Sequence, residues 1–550
     1  MNGASPAPAF DVIIVGAGSA GCALANRLSA DPGLSVLLIE AGPKGAGPFT
    51  DTLVNMPRGV ARTMANSAIT SVYRTTWPYT GAPEGGEATV VRGRMLGGSS
   101  TINGMIYHRG QPQDYDRWAE LGNAGWGWAD LLPYFKALED HETLPATEWR
   151  GKGGAFPLRL MPPSPLAEAV IEAAGHLGLP RKEEPNLREH CGISYLVANI
   201  DRHGRRVSAA RAFLPPDVRR RPNLHIVVDT RVERLRFDGR RCVGVQCVRN
   251  GVQQDFTARA EVILSGGAYE SPLLLQASGI GPASHLAGLG IPLVSDNDNV
   301  GRNMRDHWQY HCAYTLVHPR DSENREFRGW RLGGNLLRYF ALGSGPLATA
   351  THHLAGFLDT EGEGRATVQF IMGPYTAEVD ARGRMYTSAA PTMNFYCTAL
   401  RGTSEGSVMI GGGNGAAPII RPNYLATDYD RRVTLAGARF LRKLAATEPL
   451  AQCIAGERAP AAGAETDEEL LAAARKGGSF SAHTCGTCRM GPDDDPRAVV
   501  DPRLRVRGVE GLRVVDCSIF PEMVSANTNG PVMAVALRAA DLILEDLRRA

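Results

Sequence analysis

The sequence predicts an α/β chain folded as two lobes, α+β in overall layout, and three observations predict it. Its 550 residues exceed what a single hydrophobic core organises, ~250–300 residues. The first forty residues read as strand, glycine turn, helix, strand and acidic residue. Residues from about 310 to 475 instead show aromatic and alternating stretches with no such pattern.

Taken in order, Asp11 to Val15 is a buried-strand run, Gly16 to Gly21 follows as Gly-Ala-Gly-Ser-Ala-Gly, and Cys22 to Ser29 continues at helical spacing. A second apolar run, Leu34 to Ile39, ends at Glu40. This is the βαβ unit that binds a dinucleotide, a Rossmann-type arrangement. Gly16 permits the sharp turn, Gly18 lets a pyrophosphate approach the backbone beside Ser19 at the positive helix end, and Gly21 lets helix and strand pack closely. Glu40 is placed to accept hydrogen bonds from an adenosine ribose, which disfavours NADP and leaves NAD or FAD.

Arg92 to Gly104 forms a second cluster of glycines and hydroxyls, suited to running backbone amides along a cofactor. Asn223–Val228, Arg231–Phe237 and Cys242–Val248 read as a meander of short strands. Glu261 to Leu264 reads as a strand returning to the first sheet, followed by a helix over Ser271–Ser278. Further strands are expected at Met393–Cys397 and Ser407–Ile410, and a long helix over Tyr429–Thr447. These elements divide the chain into a discontinuous nucleotide-binding domain (1–156, 201–309, 476–550) and a second domain (157–200, 310–475) built on an antiparallel sheet with helices.

Composition narrows the function classes. Hydrophobic residues at 43%, charged residues at 21% and a mean hydropathy of -0.18 exclude a disordered, fibrous or membrane-spanning chain. A net charge of +2 without a basic stripe gives no nucleic-acid footprint. Ten cysteines are too sparse for a disulfide scaffold, and Met1 to Phe10 carries no Lys or Arg, so a cytoplasmic location with reduced thiols is expected. No apolar run reaches the ~18 residues of a membrane span, and peripheral membrane contact stays open. Cys485 and Cys488 lack a second Cys/His pair at finger spacing, so no metal is expected.

Toward the carboxyl end, His483 begins a polar loop, Gly511 to Asp516 is apolar, and Ser525 to Pro531 opens a terminal helix rich in Ala and Leu. With these segments in hand, the chain resembles the glucose-methanol-choline (GMC) oxidoreductases, a family of FAD enzymes, over essentially its whole length. Gly16, Gly18, Gly21 and Glu40 match the family's FAD motif; Gly93 to Asn103 and Gly267 to Gly281 match its two signatures. Val300 to His307 resembles another recurring stretch, and the segments of His483 and Asn527 match the catalytic region.

The resemblance implies a choline-dehydrogenase-like bacterial alcohol dehydrogenase or oxidase. It implies cofactor contacts at Ser19, Gly97, Ser99, Asn103, Gly104, Val232, Asp516 and Asn529 besides the amino-terminal motif, and a catalytic pair of His483 and Asn527. The usual proline after the histidine is Thr484 here, a departure expected to weaken the loop slightly. Bottom-up the pair is sound: an imidazole of pKa near ~6.5 takes a hydroxyl proton at neutral pH, and an amide beside it donates to the alkoxide. The implied reaction passes a hydride from a primary alcohol to flavin N5, with electrons going on to oxygen or a quinone-type acceptor. The alternatives are an FAD-containing lyase or fatty-acid photodecarboxylase on the same fold, and a redox-silent binding protein. Some relatives attach FAD through a histidine of the first signature. Ser99 to Asn103 offers only hydroxyls, so non-covalent FAD is expected, with His108 the first suspect otherwise.

Overall fold

The computed structural model describes residues 7–77, 85–379, 385–412 and 416–549; residues 1–6 of the amino-terminal stretch read above lie outside them. β1 (Ala9–Val15) and β2 (Val36–Ile39) are parallel neighbours, with Ile13 opposite Leu37, and α1 (Ser19–Leu28) makes the crossover between them. Val12–Val15 of β1 and all of β2 are continuous apolar runs because the sheet is covered on both faces there.

The remaining strands of this sheet are β3 (Leu224–Val227), β4 (Thr230–Asp238), β5 (Arg241–Arg249) and β6 (Val252–Leu264), in the spatial order β4-β5-β6-β1-β2-β3. Leu512–Val514 pairs in parallel with the end of β6. Two expectations change. β3 is not part of the meander but runs parallel to β2, with His225 opposite Leu37. Glu261–Leu264 is not a separate strand: β6 leaves the meander at Thr257 and runs on parallel to β1, with Val262 opposite Ile13. Only its end is read from the sequence because burial changes along the strand, from mixed at the exposed hairpin end to complete over Val262–Leu264. α2 (Gly267–Ala277) follows directly.

The second sheet is antiparallel throughout. β7 (Trp308–Leu316) pairs with Thr392–Ala399 on one side and with Ile454–Glu457 and Ser479–Phe480 on the other. Val368–Gly373, Leu354–Leu358 and Gly192–Tyr195 complete the order beyond Thr392–Ala399. Trp308, Gln309, Ser479 and Phe480 belong to this sheet although the expected boundaries assign them to the first domain. α3 (Gly329–Leu342) follows β7, and α4 (Asp428–Ala445) packs on the sheet. The approach is close: a Cβ on Gly437 would stand 2.2 Å from the Cys397 sulfur.

α5 (Asn529–Arg549) closes the chain against α1, its first eight residues after Asn529 almost all buried. Two large cores result, one around the first sheet with α1 and α5, the other around the antiparallel sheet and α4. A continuous cavity of about 2480 Å³ takes its walls from both.

Candidate active site

One end of the cavity is built by the β1–α1 turn. Gly16 has φ +101°, and a Cβ there would stand 2.5 Å from the Ser265 carbonyl oxygen. A Cβ on Gly21 would meet Gly16 O at 1.9 Å, so that glycine serves helix–strand contact and does not line the cavity. Gly18 differs: a Cβ would meet nothing within 4 Å, because the residue faces the cavity. α1 starts at Ser19 with no side chain capping it, leaving backbone N–H groups for an anion. Ser19 Oγ donates to Asn529 Oδ1 (2.6 Å), which ties the amino ends of α1 and α5 together at the cavity wall. Glu40 accepts from the backbone N–H of Ala17 and Gly42, both at 2.9 Å. Burial pushes its carboxyl up to about 6, and those N–H groups work in the opposite direction.

Ser99, Asn103, Gly104, Val232, Asp516 and Asn529 also line the cavity. Asp516 accepts from Gly267 N (2.8 Å), Ser271 Oγ (2.6 Å) and Ser518 N (2.8 Å), which pins α2 to the carboxyl-terminal segment. Gly97 stands behind the wall. It has φ +106°, its N–H donates to Ala17 O at 2.8 Å, and Thr101 and Ala210 fill its Cβ direction. The residue at the wall is Gly98, where a Cβ would stand 2.7 Å from Gly18 Cα. Sequence spacing cannot separate the two, since both belong to one tight turn. An uncapped helix start, a Cβ-free cradle and the Glu40 carboxylate at the end of the second strand, lining the same cavity, fit the pyrophosphate and ribose of FAD.

At another part of the wall His483 follows the strand Ser479–Phe480, and Asn527 precedes α5. Asn527 Nδ2 stands 3.1 Å from His483 Nε2. The proton positions follow from a carbonyl. Leu400 O can only accept, so His307 Nε2, 2.8 Å away, carries hydrogen. His307 Nδ1 is therefore a lone pair, and His483 Nδ1, 2.9 Å away, donates to it. His483 Nε2 is left bare, with Asn527 donating to it. Asn527 Oδ1 faces His108 Nδ1 at 3.0 Å, and Gln369 Nε2 stands 2.8 Å from the same ring nitrogen.

Burial first, then the neighbouring His307, Arg92 and His108, holds the pKa of His483 well below the ordinary 6.5. The base is neutral and ready. The Asp306 carboxylate anchors the loop: it accepts the backbone N–H of both His483 and His307 at 2.8 Å, and the hydroxyls of Thr484 (2.8 Å) and Tyr424 (3.1 Å). Thr484 thus ties the loop where weakening was expected, its hydroxyl also bonded to Tyr269 at 3.0 Å. Asp306 and His307 were within reach of sequence reading, in the stretch Val300 to His307, but nothing in one sequence gives them a role.

β7 explains the neighbouring wall. Trp308, Tyr310, Cys312, Tyr314 and Leu316 are buried by strict alternation, which turns Gln309 and His311 to the cavity. His311 packs edge-on against Tyr396 (4.1 Å between ring centres), and Tyr396 against His352 (5.0 Å). Burial pushes both imidazoles down to about 3, so they are neutral. Of the charged wall residues here, Arg458 pairs with Glu378 at 3.0 Å and Arg58 with Glu323 at 2.5 Å. None of these residues carries a sequence signal beyond its place on a strand or helix.

Two family models described as GMC oxidoreductase match residues 10–309 and 402–536. The chain is 38% identical to human mitochondrial choline dehydrogenase over 548 residues, covering 97% of this chain and 89% of that protein. It is 35% identical to an oxygen-dependent choline dehydrogenase of Sinorhizobium fredii, covering 97% and 95%. Among solved structures, pyridoxine 4-oxidase from Mesorbium loti superposes with a TM-score of 0.84 at 33% identity, covering 98% of this chain and 99% of that one. A formate oxidase gives 0.90 at 25% identity, covering 99% and 100%. With family models over most of its length and relatives identical at more than one position in three, the chain belongs to the GMC oxidoreductases, a family of FAD-dependent enzymes.

Proposed function

We propose that this protein oxidises a primary alcohol to the aldehyde with non-covalently held FAD, in the cytoplasm, and passes the electrons to oxygen or a quinone-type acceptor. The observation that carries the reading is the bare Nε2 of His483 beside the N–H of Asn527, in the same cavity as Gly18 and Glu40. A substrate hydroxyl set between them gives its proton to His483 and accepts from Asn527, which stabilises the alkoxide as it forms. When bound, the flavin supplies the two-electron acceptor for the carbinol hydrogen. His307 keeps the receiving nitrogen unprotonated beforehand, and Asp306 holds both histidines by their backbone. This pairing of base and amide favours alcohol oxidation over the lyase and photodecarboxylase readings.

The relatives named choline dehydrogenases raise choline as a substrate. A quaternary ammonium needs a carboxylate or a cage of aromatic faces. On the wall that His311 and Tyr396 share, Glu378 is already paired with Arg458, and Glu323, paired with Arg58, does not line the cavity. Tyr396 and Tyr375 put aromatic rings on the same wall, so the reading of an uncharged primary alcohol rests on the carboxylates alone. Anaerobic mixing of the holoenzyme with benzyl alcohol and with choline tests both levels: bleaching by the former and little by the latter is expected, no bleaching by any primary alcohol would overturn the reaction, and faster bleaching by choline the substrate class.

Retention of FAD without a covalent bond is supported by the position of His108, whose Nδ1 is engaged behind Asn527 and whose ring is fully buried. Acid precipitation should leave a yellow supernatant; a yellow pellet that survives washing would show a covalent link.

A further inference from the structure

Among the described residues, the large apolar side chains left most open to water cluster on α3. Trp330 is 80% exposed, Leu337 75% and Phe340 64%. They recur at i, i+7 and i+10, with Gly333, Gly334 and Ala341 between them, so they form one stripe along the helix. The opposite face is accounted for. Tyr339 is buried in a small core with Met56 and Leu347, and Leu332 and Leu336 line the cavity. α3 is therefore apolar on both sides, and only the inner one has a partner.

Charge distinguishes the occupants. α3 contains no Asp or Glu, and residues 325–342 hold four arginines (Arg325, Arg328, Arg331, Arg338) against Glu326 alone. Arg331 and Arg338 are seven residues apart and flank the stripe on one side; the Arg331 guanidinium lies 4.8 Å from the Trp330 ring centre. A second copy of the chain placed on the stripe with the two helices antiparallel would set Arg331 against Arg338 of the copy. A surface of phosphate headgroups would neutralise them, with Trp330 at the polar boundary and Leu337 and Phe340 in the acyl layer. At 14 residues the helix is far too short to span a bilayer, and among the described residues no helix is long and apolar enough to do so.

We infer that α3 docks this protein on an anionic lipid surface, its Trp330–Leu337–Phe340 stripe inserted and Arg331 and Arg338 on the headgroups. Leu332, Leu336 and Arg328 belong to the cavity wall, so docking brings that rim of the cavity to the lipid.

The test is flotation of the flavin-loaded protein with vesicles of phosphatidylcholine alone or mixed with phosphatidylglycerol, with sedimentation velocity run in parallel. Wild-type protein should float with the anionic vesicles, and bind them about fivefold more weakly for each arginine removed in Arg331→Gln/Arg338→Gln. Trp330→Ser/Leu337→Ser/Phe340→Ser should lower binding more than tenfold on both vesicle types, with flavin absorbance unchanged as the check that the fold is intact. Failure of wild-type protein to bind phosphatidylglycerol vesicles overturns the inference whatever the variants do. A wild-type dimer that the triple Ser variant converts to monomer, without vesicle binding, assigns the stripe to a second copy instead.

Discussion

His483 keeps its hydrogen on Nδ1 because of a carbonyl at Leu400, two hydrogen bonds away, and that separation of duties sets what each substitution costs. Positioned general bases contribute ~10²–10⁴ in rate, so His483→Ala should slow anaerobic flavin reduction by that range and leave flavin content unchanged. Asn527→Ala removes one hydrogen bond to a forming charge and should cost on the order of 10–10². Near-wild-type reduction in His483→Ala would strip it of the base role. Because burial first, then the neighbouring His307, Arg92 and His108, holds the His483 pKa below 6.5, its working neutral form persists above that lowered value and is lost only as pH falls through it. The rate of reduction should stay level from pH 9 to 6.5; a half-loss at or above 6.5 would contradict the assigned environment. His483 and Asn527 were legible because side chains with this chemistry recur in recognisable segments. His307, Asp306 and the ring wall of His311, Tyr396 and His352 were not, since their roles come from tertiary neighbours at separations such as 93 and 176 residues.

At the level of elements, the β1–α1 unit separates two duties that a glycine motif blends. Gly21 answers to the strand beneath it, whereas Gly18 answers to the cavity. Gly21→Ala should push α1 off β1 and lower the melting temperature of the protein even after its flavin has been stripped. Gly18→Val should leave that flavin-free melting temperature near wild type while abolishing flavin uptake, because the added carbons occupy the pyrophosphate cradle. Full flavin content in Gly18→Val would show that the cradle lies elsewhere. The same unit was the most readable part of the sequence, its period and its turn agreeing with each other from Ala9 to Glu40. β6 was the least, because one strand serves an exposed hairpin and then a buried parallel pairing, so no single period describes it.

For the molecule as a whole, buried neutral histidines set the acid limit. Burial holds His108, His190, His311, His352 and His353 down to about 3 and His307 to about 4, whereas the unfolded chain titrates near ~6.5. Below 6.5 the unfolded state therefore binds more protons than the native one, and stability declines as pH falls toward those lowered values. The melting temperature of the holoenzyme should be level between pH 7 and 8 and drop by several degrees for each unit below 6; an unchanged value at pH 5 would contradict this. The first sheet carries a further consequence, in time rather than space. β6 borders Leu512–Val514, α1 is covered by α5, and Ser19 waits for Asn529 across 510 residues. A ribosome delivers β1 and its glycine turn first and their covering last, so the nascent chain carries an unfinished nucleotide cradle through nearly the whole of its synthesis. A chain stopped short of residue 529 should therefore carry the glycine turn yet retain no flavin, which the absorbance of the purified truncated protein checks.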